Sequence, residues 1–120
     1  MDSHSQETLR RVQENDDTLE ILQIGLRGFS SSVGDDYSRL GTFTGKNTRL
    51  TMLEIELSDG IALDVTNSAF YDGLKHNSSI HQLNIYCYNV AFVGGVVEAI
   101  LKAYEENNNL TLLRIFRAGL

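Results

Sequence analysis

The chain has 120 residues, a length that fits one domain, with 42% hydrophobic residues, no proline and a formal net charge of −6. The acidic balance argues against a nucleic-acid partner, because phosphate backbones are bound by a surplus of lysine and arginine, whereas a basic protein partner remains compatible with it. No apolar run approaches the length of a membrane span, the amino terminus lacks the regions of a signal peptide, and Cys87, the single cysteine, excludes an internal disulfide. These features predict a cytoplasmic protein that does not enter a membrane.

The predicted elements alternate between helix and strand along the chain. Leu9 and Val12 indicate a partial helix near the amino terminus, and the next helix, over 35–46, is weakened by Gly41 and Gly45. Helical spacing of apolar residues is clearer in the two later helices, predicted over 67–76 and 96–104. Four strands are predicted to follow these helices, near 19–25, 50–56, 80–86 and 110–116.

Each predicted strand carries the same pattern of leucine and isoleucine. Its three apolar positions are spaced L-x-x-L-x-I, and the first position recurs after 31, 30 and 30 residues. A fixed period of this size is typical of a repeat architecture, and strands that recur after helical connections must be parallel. The pattern therefore predicts one α/β domain over 1–120, with a parallel sheet on one side and helices on the other. The residues expected in its core are Leu19, Leu22, Ile24, Leu50, Leu53, Ile55, Ile80, Leu83, Ile85, Leu110, Leu113 and Ile115.

An aspartate or asparagine precedes each pattern by three residues, at Asp16, Asn47, Asn77 and Asn107. Asparagine tolerates a left-handed backbone better than most residues, and such a residue often ends a helix. We therefore predict that the helices end at this column, with a left-handed or nearly left-handed backbone at Asn77 and Asn107.

The asparagine followed by L-x-x-L-x-I resembles the ribonuclease-inhibitor-like class of leucine-rich repeats. The resemblance is best over 74–85 and 104–115, and it extends over nearly the whole chain from about residue 9. It implies a right-handed leucine-rich-repeat solenoid with parallel strands on the concave side and helices on the convex side. Many such repeats carry asparagine or cysteine eight positions after the first leucine, so the usual buried asparagine ladder is expected to be missing here. The positions concerned hold Arg27, Ser58, Tyr88 and Ala118.

The carboxyl-terminal end of the array shows no polar capping repeat after the fourth strand. An uncapped end exposes apolar residues and a row of free hydrogen-bonding groups. Two alternatives follow: the chain is part of a longer array, or its open edge associates with another copy.

No catalytic site, metal site or cofactor is expected. The three histidines lack metal-ligand spacing, no serine or cysteine has an identifiable base, and Gly94-Gly95 lacks the flanking residues of a phosphate loop. The resemblance implies functions as different as inhibitors, innate immune sensors, a GTPase-activating protein and the actin-capping tropomodulins. We predict a non-enzymatic protein-interaction module. The alternatives are a regulatory subunit that acts on an enzyme such as a small GTPase, and a structural product without a partner.

The partner-binding surface is predicted on the concave strand face, from residues that lie between the buried ones. Aromatic residues and methionine, which are enriched in interface cores, occur there more often than a solvated face requires. Tyr86 and Phe116 occupy the same position in adjacent repeats, so their rings should stand side by side. The alternative is that these residues form an ordinary solvated face without a binding role. The residues predicted to contact a partner are Met52, Glu54, Glu56, Gln82, Asn84, Tyr86, Leu112, Arg114 and Phe116.

Overall fold

The computed structural model describes residues 1–25, 27–58, 62–88 and 94–117. Within these residues four helices alternate with four strands, which confirms the α/β alternation, and each strand begins two residues later than predicted. No helix in the described part of the chain is long and apolar enough to cross a bilayer. The elements in chain order are α1 (Ser3–Gln13), β1 (Ile21–Ile24), α2 (Gly34–Lys46), β2 (Met52–Leu57), α3 (Ser68–His76), β3 (Gln82–Cys87), α4 (Gly94–Glu105) and β4 (Leu112–Arg117).

The strands form one parallel sheet in the order β1-β2-β3-β4. Equivalent pattern residues lie side by side, so that Leu53 pairs with Leu83 and Leu83 with Leu113. Burial alternates along β2 because successive side chains point to opposite faces, and only one face packs against the helices. The molecule is thus a small α/β domain with one covered and one uncovered sheet face.

The helices contribute an apolar row that matches the strands. The residues ten positions before each pattern are Leu9, Leu40, Phe70 and Ile100, and all four are buried in the same core cluster as the strand residues. Because helices and strands repeat in the same register, each unit presents its apolar side to the next one along the chain.

The glycines that weaken the predicted second helix have a packing role. A side chain at Gly41 would collide with the backbone of Phe70 in α3, and one at Gly73 would collide with the backbone of Gly41. The helices α2 and α3 therefore approach so closely that only glycine fits between them. Helix propensity is given up here for close packing, and α2 still runs unbroken over Gly34–Lys46.

The amino-terminal helix is complete, which corrects the prediction of a partial one. The helix α1 has 11 residues, and the Asp2 side chain caps it by accepting a hydrogen bond from the Ser5 backbone N–H at 2.7 Å. Leu9 and Val12 are buried as expected. Only these two residues gave an apolar signal in the sequence, because most of the other helix positions face solvent.

The prediction of a left-handed backbone in the asparagine column is wrong. Asn47 (φ −73°, ψ 137°) and Asn77 (φ −64°, ψ 132°) end their helices in an extended conformation that any residue can adopt. The one non-glycine residue with positive φ in the described part of the chain is Asn15, one position before the column.

The asparagines instead form a buried ladder of side-chain hydrogen bonds. The Asn77 amide nitrogen donates to the carbonyl oxygens of Thr44 at 2.7 Å and Asn47 at 3.0 Å, and its amide oxygen accepts from the Ile80 N–H at 2.7 Å. Asn107 donates in the same way to the Asn77 carbonyl at 2.8 Å. This ladder lies three residues before the pattern and differs from the usual one, whose column eight positions after the pattern start holds no asparagine.

The expected core is incomplete at the carboxyl-terminal strand. Leu113 and Ile115 are exposed, although they occupy the same pattern positions as the buried Leu83 and Ile85. Leu19 and Leu110 are only partly buried. No helix of the described chain packs beyond β4, so the helix-side face of this strand has no cover.

Candidate protein-interaction surface

The predicted contact residues lie in three rows across the uncovered sheet face. The strands β2, β3 and β4 each supply one residue to each row, and parallel pairing aligns the three. All nine therefore share the face, as predicted, because side chains along a strand alternate with a period of two. The rows are Met52–Gln82–Leu112, Glu54–Asn84–Arg114 and Glu56–Tyr86–Phe116.

The middle row holds a polar network. One Glu54 carboxylate oxygen accepts from the Gln23 side-chain amide at 2.9 Å, and the other accepts from the Asn84 side-chain amide at 3.4 Å. Asn84 is only 5% exposed, so its side chain has little surface left for the predicted contact with a partner. Its amide nitrogen is directed toward β2, where it lies 3.4 Å from the Glu54 carboxylate and 3.6 Å from the Met52 sulfur.

An aromatic pair occupies the third row. The Tyr86 and Phe116 rings are stacked, with centroids 4.9 Å apart and an interplanar angle of 10°, which confirms the side-by-side arrangement. Phe116 is exposed and Tyr86 is half-buried, while Leu112, two rows away beyond Arg114, is also exposed. The two stacked rings form an apolar patch in this row, and such offset or stacked pairs are favourable beyond their buried area.

A concavity of about 650 Å³ lies beside this pair, at the carboxyl ends of β1, β2 and β3. The sequence prediction identified Glu54, Glu56 and Tyr86 on this face but missed the concavity. Three further lining residues occupy the column eight positions after each pattern start, which had been noted only for lacking asparagine. The concavity is lined by Gln23, Arg27, Glu54, Glu56, Ser58, Tyr86 and Tyr88.

A glycine at the end of β1 allows a close approach to Glu56, one of the residues that line this concavity. Gly25 has φ of +134°, and a Cβ atom there would lie 2.6 Å from the Glu56 Cβ. Only glycine combines this backbone with so close a neighbour. The backbone at the end of β1 therefore lies close against Glu56 of β2, and a larger residue at position 25 would displace the Glu56 side chain.

The chemical groups of the described surface are aromatic, acidic and basic side chains. Cys87 is buried and burial raises the pKa of its thiol, which disfavours the reactive thiolate. Among the described residues, no three histidine, cysteine or carboxylate side chains come together as metal ligands would. The groups that are offered to solvent are aromatic rings, carboxylates and the Arg27 and Arg114 guanidinium groups.

No protein-family model matches the chain, and no curated protein matches it. Solved structures are similar to it. One is leiomodin-1 actin-binding site 2, with 24% identity and a TM-score of 0.64 over 98% of this chain and 64% of that one. Another is the tropomodulin C-terminal domain from Caenorhabditis elegans, with 12% identity and a TM-score of 0.56 over 94% of this chain and 83% of that one. At these identities the likeness shows the fold, and the chain spans about two thirds of the length of the leiomodin structure.

These comparisons correct the resemblance to the ribonuclease-inhibitor-like class. The two solved structures described above are a leiomodin and a tropomodulin domain, and neither is a ribonuclease inhibitor. The L-x-x-L-x-I pattern indicated the wrong class because its apolar residues are those that any strand needs when it follows a helix and enters a core. That requirement belongs to the helix–strand unit and does not specify one class of protein.

Proposed function

We propose that this chain is a non-enzymatic protein-binding domain that binds its partner through the uncovered sheet face. The observation that carries the proposal is the stacked Tyr86–Phe116 pair, exposed on a face that the domain's own helices leave free. Rigid aromatic side chains beside an arginine are the residue types that dominate binding energy in protein interfaces. Arg114 lies next to this pair in the adjacent row.

Actin is the partner that we propose to test first. The leiomodin-1 structure with the same fold is described as an actin-binding site. An actin partner is also in keeping with the cytoplasmic location and the protein partner that the sequence predicts. The support is a shared fold together with an exposed aromatic patch, so a direct binding measurement decides the assignment.

We propose further that the four helix–strand units are successive turns of a right-handed solenoid, with the strands on its concave side. Support comes from the asparagine ladder, in which Asn77 and Asn107 make equivalent bonds to the preceding unit at a spacing of 30 residues. A crystal structure tests this proposal directly. One right-handed screw operation should superimpose each unit on the next, and units related by unequal rotations would contradict it.

The binding proposal is tested by replacing Tyr86 and Phe116 together with alanine. We expect this double variant to weaken actin binding by at least about 2 kcal/mol, or roughly 30-fold in Kd, because it removes both aromatic anchors. Cosedimentation with actin filaments and a titration of actin monomers provide the two readouts.

The matched control replaces Val33 and Val65, which are exposed apolar residues outside the sheet face, with alanine. This control should bind as the unchanged chain does, and both double variants should keep its circular dichroism spectrum. Unfolding of the Tyr86/Phe116 variant would show that the rings are core residues. Normal binding by that variant would place the interface elsewhere and direct attention to the open β4 edge.

A further inference from the structure

We propose that the concavity at the carboxyl ends of β1, β2 and β3 is a subsite for one arginine or lysine side chain of a protein partner. The inference rests on the proposed function only in that the partner is a protein. It adds the chemistry by which that partner is recognised. Three features of the concavity support it: its charge, its aromatic walls and its size.

The charge of the concavity favours a cation. Glu54 and Glu56 contribute two carboxylates, against the single guanidinium group of Arg27. Both glutamates are half-buried whereas Arg27 is exposed, so water and salt screen the arginine more strongly than they screen the two acids. The whole chain also carries a net charge of −6, which attracts basic surfaces from a distance.

The two carboxylates differ in how they are held. Glu54 is fixed by the hydrogen bonds from Gln23 and Asn84, so it is preorganised to face a ligand. Among the described residues, no hydrogen bond or ion pair reaches the Glu56 carboxylate. A bound cation would therefore supply a partner to the Glu56 carboxylate, whereas the Glu54 carboxylate already accepts two hydrogen bonds.

The aromatic walls distinguish this concavity from a simple acidic cluster. Tyr86 is braced by its stack on Phe116, and Tyr88 is 45% exposed at the edge. The face of an aromatic ring attracts an organic cation, whereas a calcium or magnesium ion needs six or more oxygen ligands. A carboxylate beside tyrosine rings therefore suits a guanidinium or ammonium group better than a metal ion.

The size also fits a side chain rather than an ion. A volume of about 650 Å³ is within the usual range for clefts that bind organic groups. It accommodates the alkyl stem of an arginine as well as its charged end. The concavity adjoins the Tyr86–Phe116 pair, so a single partner segment can contact both.

The test uses the full chain labelled with nitrogen-15 and two capped tripeptides, acetyl-Gly-Arg-Gly-amide and acetyl-Gly-Gln-Gly-amide. The arginine peptide should shift the backbone resonances of Glu56, Tyr86 and Tyr88 in a saturable way that weakens with added salt. The glutamine peptide, which has the same length and no charge, should not. Equal shifts with both peptides would overturn the proposal.

Two pairs of variants locate the interaction. Glu56→Gln keeps the shape and removes the charge, and it should weaken binding of the arginine peptide roughly two- to fivefold, the scale of a partly exposed ion pair. Glu98→Gln makes the same change on the exposed side of α4 and should have no effect. Tyr88→Leu should also weaken binding roughly two- to fivefold, whereas Tyr88→Phe keeps the ring face and should bind normally. Equal effects within either pair would refute the subsite.

The outcomes separate this inference from the proposed function. Suppose that the Tyr86/Phe116 variant loses actin binding and that Glu56→Gln leaves binding of the arginine peptide unchanged. This result would support the interaction face and reject the subsite. Peptide binding that depends on Glu56, in a chain that does not bind actin, would support the subsite and reject the actin assignment.

Discussion

The strands β3 and β4 carry the same apolar pattern but have opposite environments. Leu83 and Ile85 in β3 are 0% exposed, whereas Leu113 and Ile115 in β4 are 42% and 41% exposed. The two strands pair residue for residue in one sheet, so neither sequence nor register explains the difference. An edge position alone is not the cause, because β1 also has a strand on one side only and its Leu22 and Ile24 are buried. What differs is the cover on the helix side, since no helix of the described chain packs beyond β4. A repeat pattern thus specifies the unit, and the next unit decides how deeply the pattern residues are buried.

The largest expected effect comes from truncating the same pattern position in the two strands. Leu83→Ala should lower the free energy of unfolding by about 2–5 kcal/mol, because it opens a cavity in the centre of the core. Leu113→Ala should cost less than about 1 kcal/mol, since its side chain is already in contact with water. Urea unfolding of both variants measures the contrast. A cost for Leu113→Ala as large as that for Leu83→Ala would show that β4 is covered in solution.

The asparagine ladder offers a second comparison, between a buried and an exposed asparagine at the same kind of turn. Asn77→Ala should destabilise the domain by at least about 2 kcal/mol, because it leaves buried backbone groups without their hydrogen-bond partners. The extended backbone at Asn77 suits alanine, so strain makes no contribution.

The control for this prediction is Asn108→Ala, since Asn108 is exposed and lies in the turn after α4. Its thermal unfolding should match that of the unchanged chain within the small range usual for surface positions. If Asn77→Ala unfolds at the same temperature as the control, the ladder does not stabilise the domain.

The smallest expected effect on stability concerns the first helix–strand unit, where Asp16 occupies the position that asparagine holds in the other three units. Hydrogen bonds from the Thr18 hydroxyl and the Arg11 guanidinium group hold the pKa of the Asp16 carboxyl well below its usual range. A carboxyl whose pKa is lowered by folding stabilises the folded state above its unfolded pKa of about 3.9, and this contribution is lost as the pH falls through the folded value. Asp16→Asn should therefore reduce stability at pH 7, with a difference that shrinks in acid below about pH 4.

The neighbouring Asp17→Asn is the control for that pH dependence. Its carboxylate makes none of the bonds seen at Asp16 in the described part of the chain, and its effect on stability should be small. Unfolding midpoints at several pH values between neutral and strongly acidic provide the measurement. A difference between Asp16→Asn and the unchanged chain that persists undiminished in acid would contradict the charge-assisted role of Asp16.

The candidate surface shows where sequence reasoning succeeds and where it stops. The Tyr86–Phe116 stack followed from spacing alone, because a parallel sheet places equivalent residues of adjacent units side by side. The concavity did not follow, because its lining combines residues of three strands with Arg27, which lies in the loop after β1. The burial of Asn84 was likewise not predicted, since it arises from the long side chains of the neighbouring strands that surround it.

The sequence by itself determined the order of helices and strands, the parallel register and the row of core residues in the inner units. Those features repeat locally, so short-range spacing is enough to specify them. Only the tertiary structure decided which pattern residues lack cover, why α2 carries glycine and what the asparagines do. Gly41, Asn77 and Leu113 each owe their role to a residue about thirty positions away or to a missing neighbour. Packing between units settles such roles, because burial and hydrogen bonding depend on what lies across the contact rather than on the residue itself.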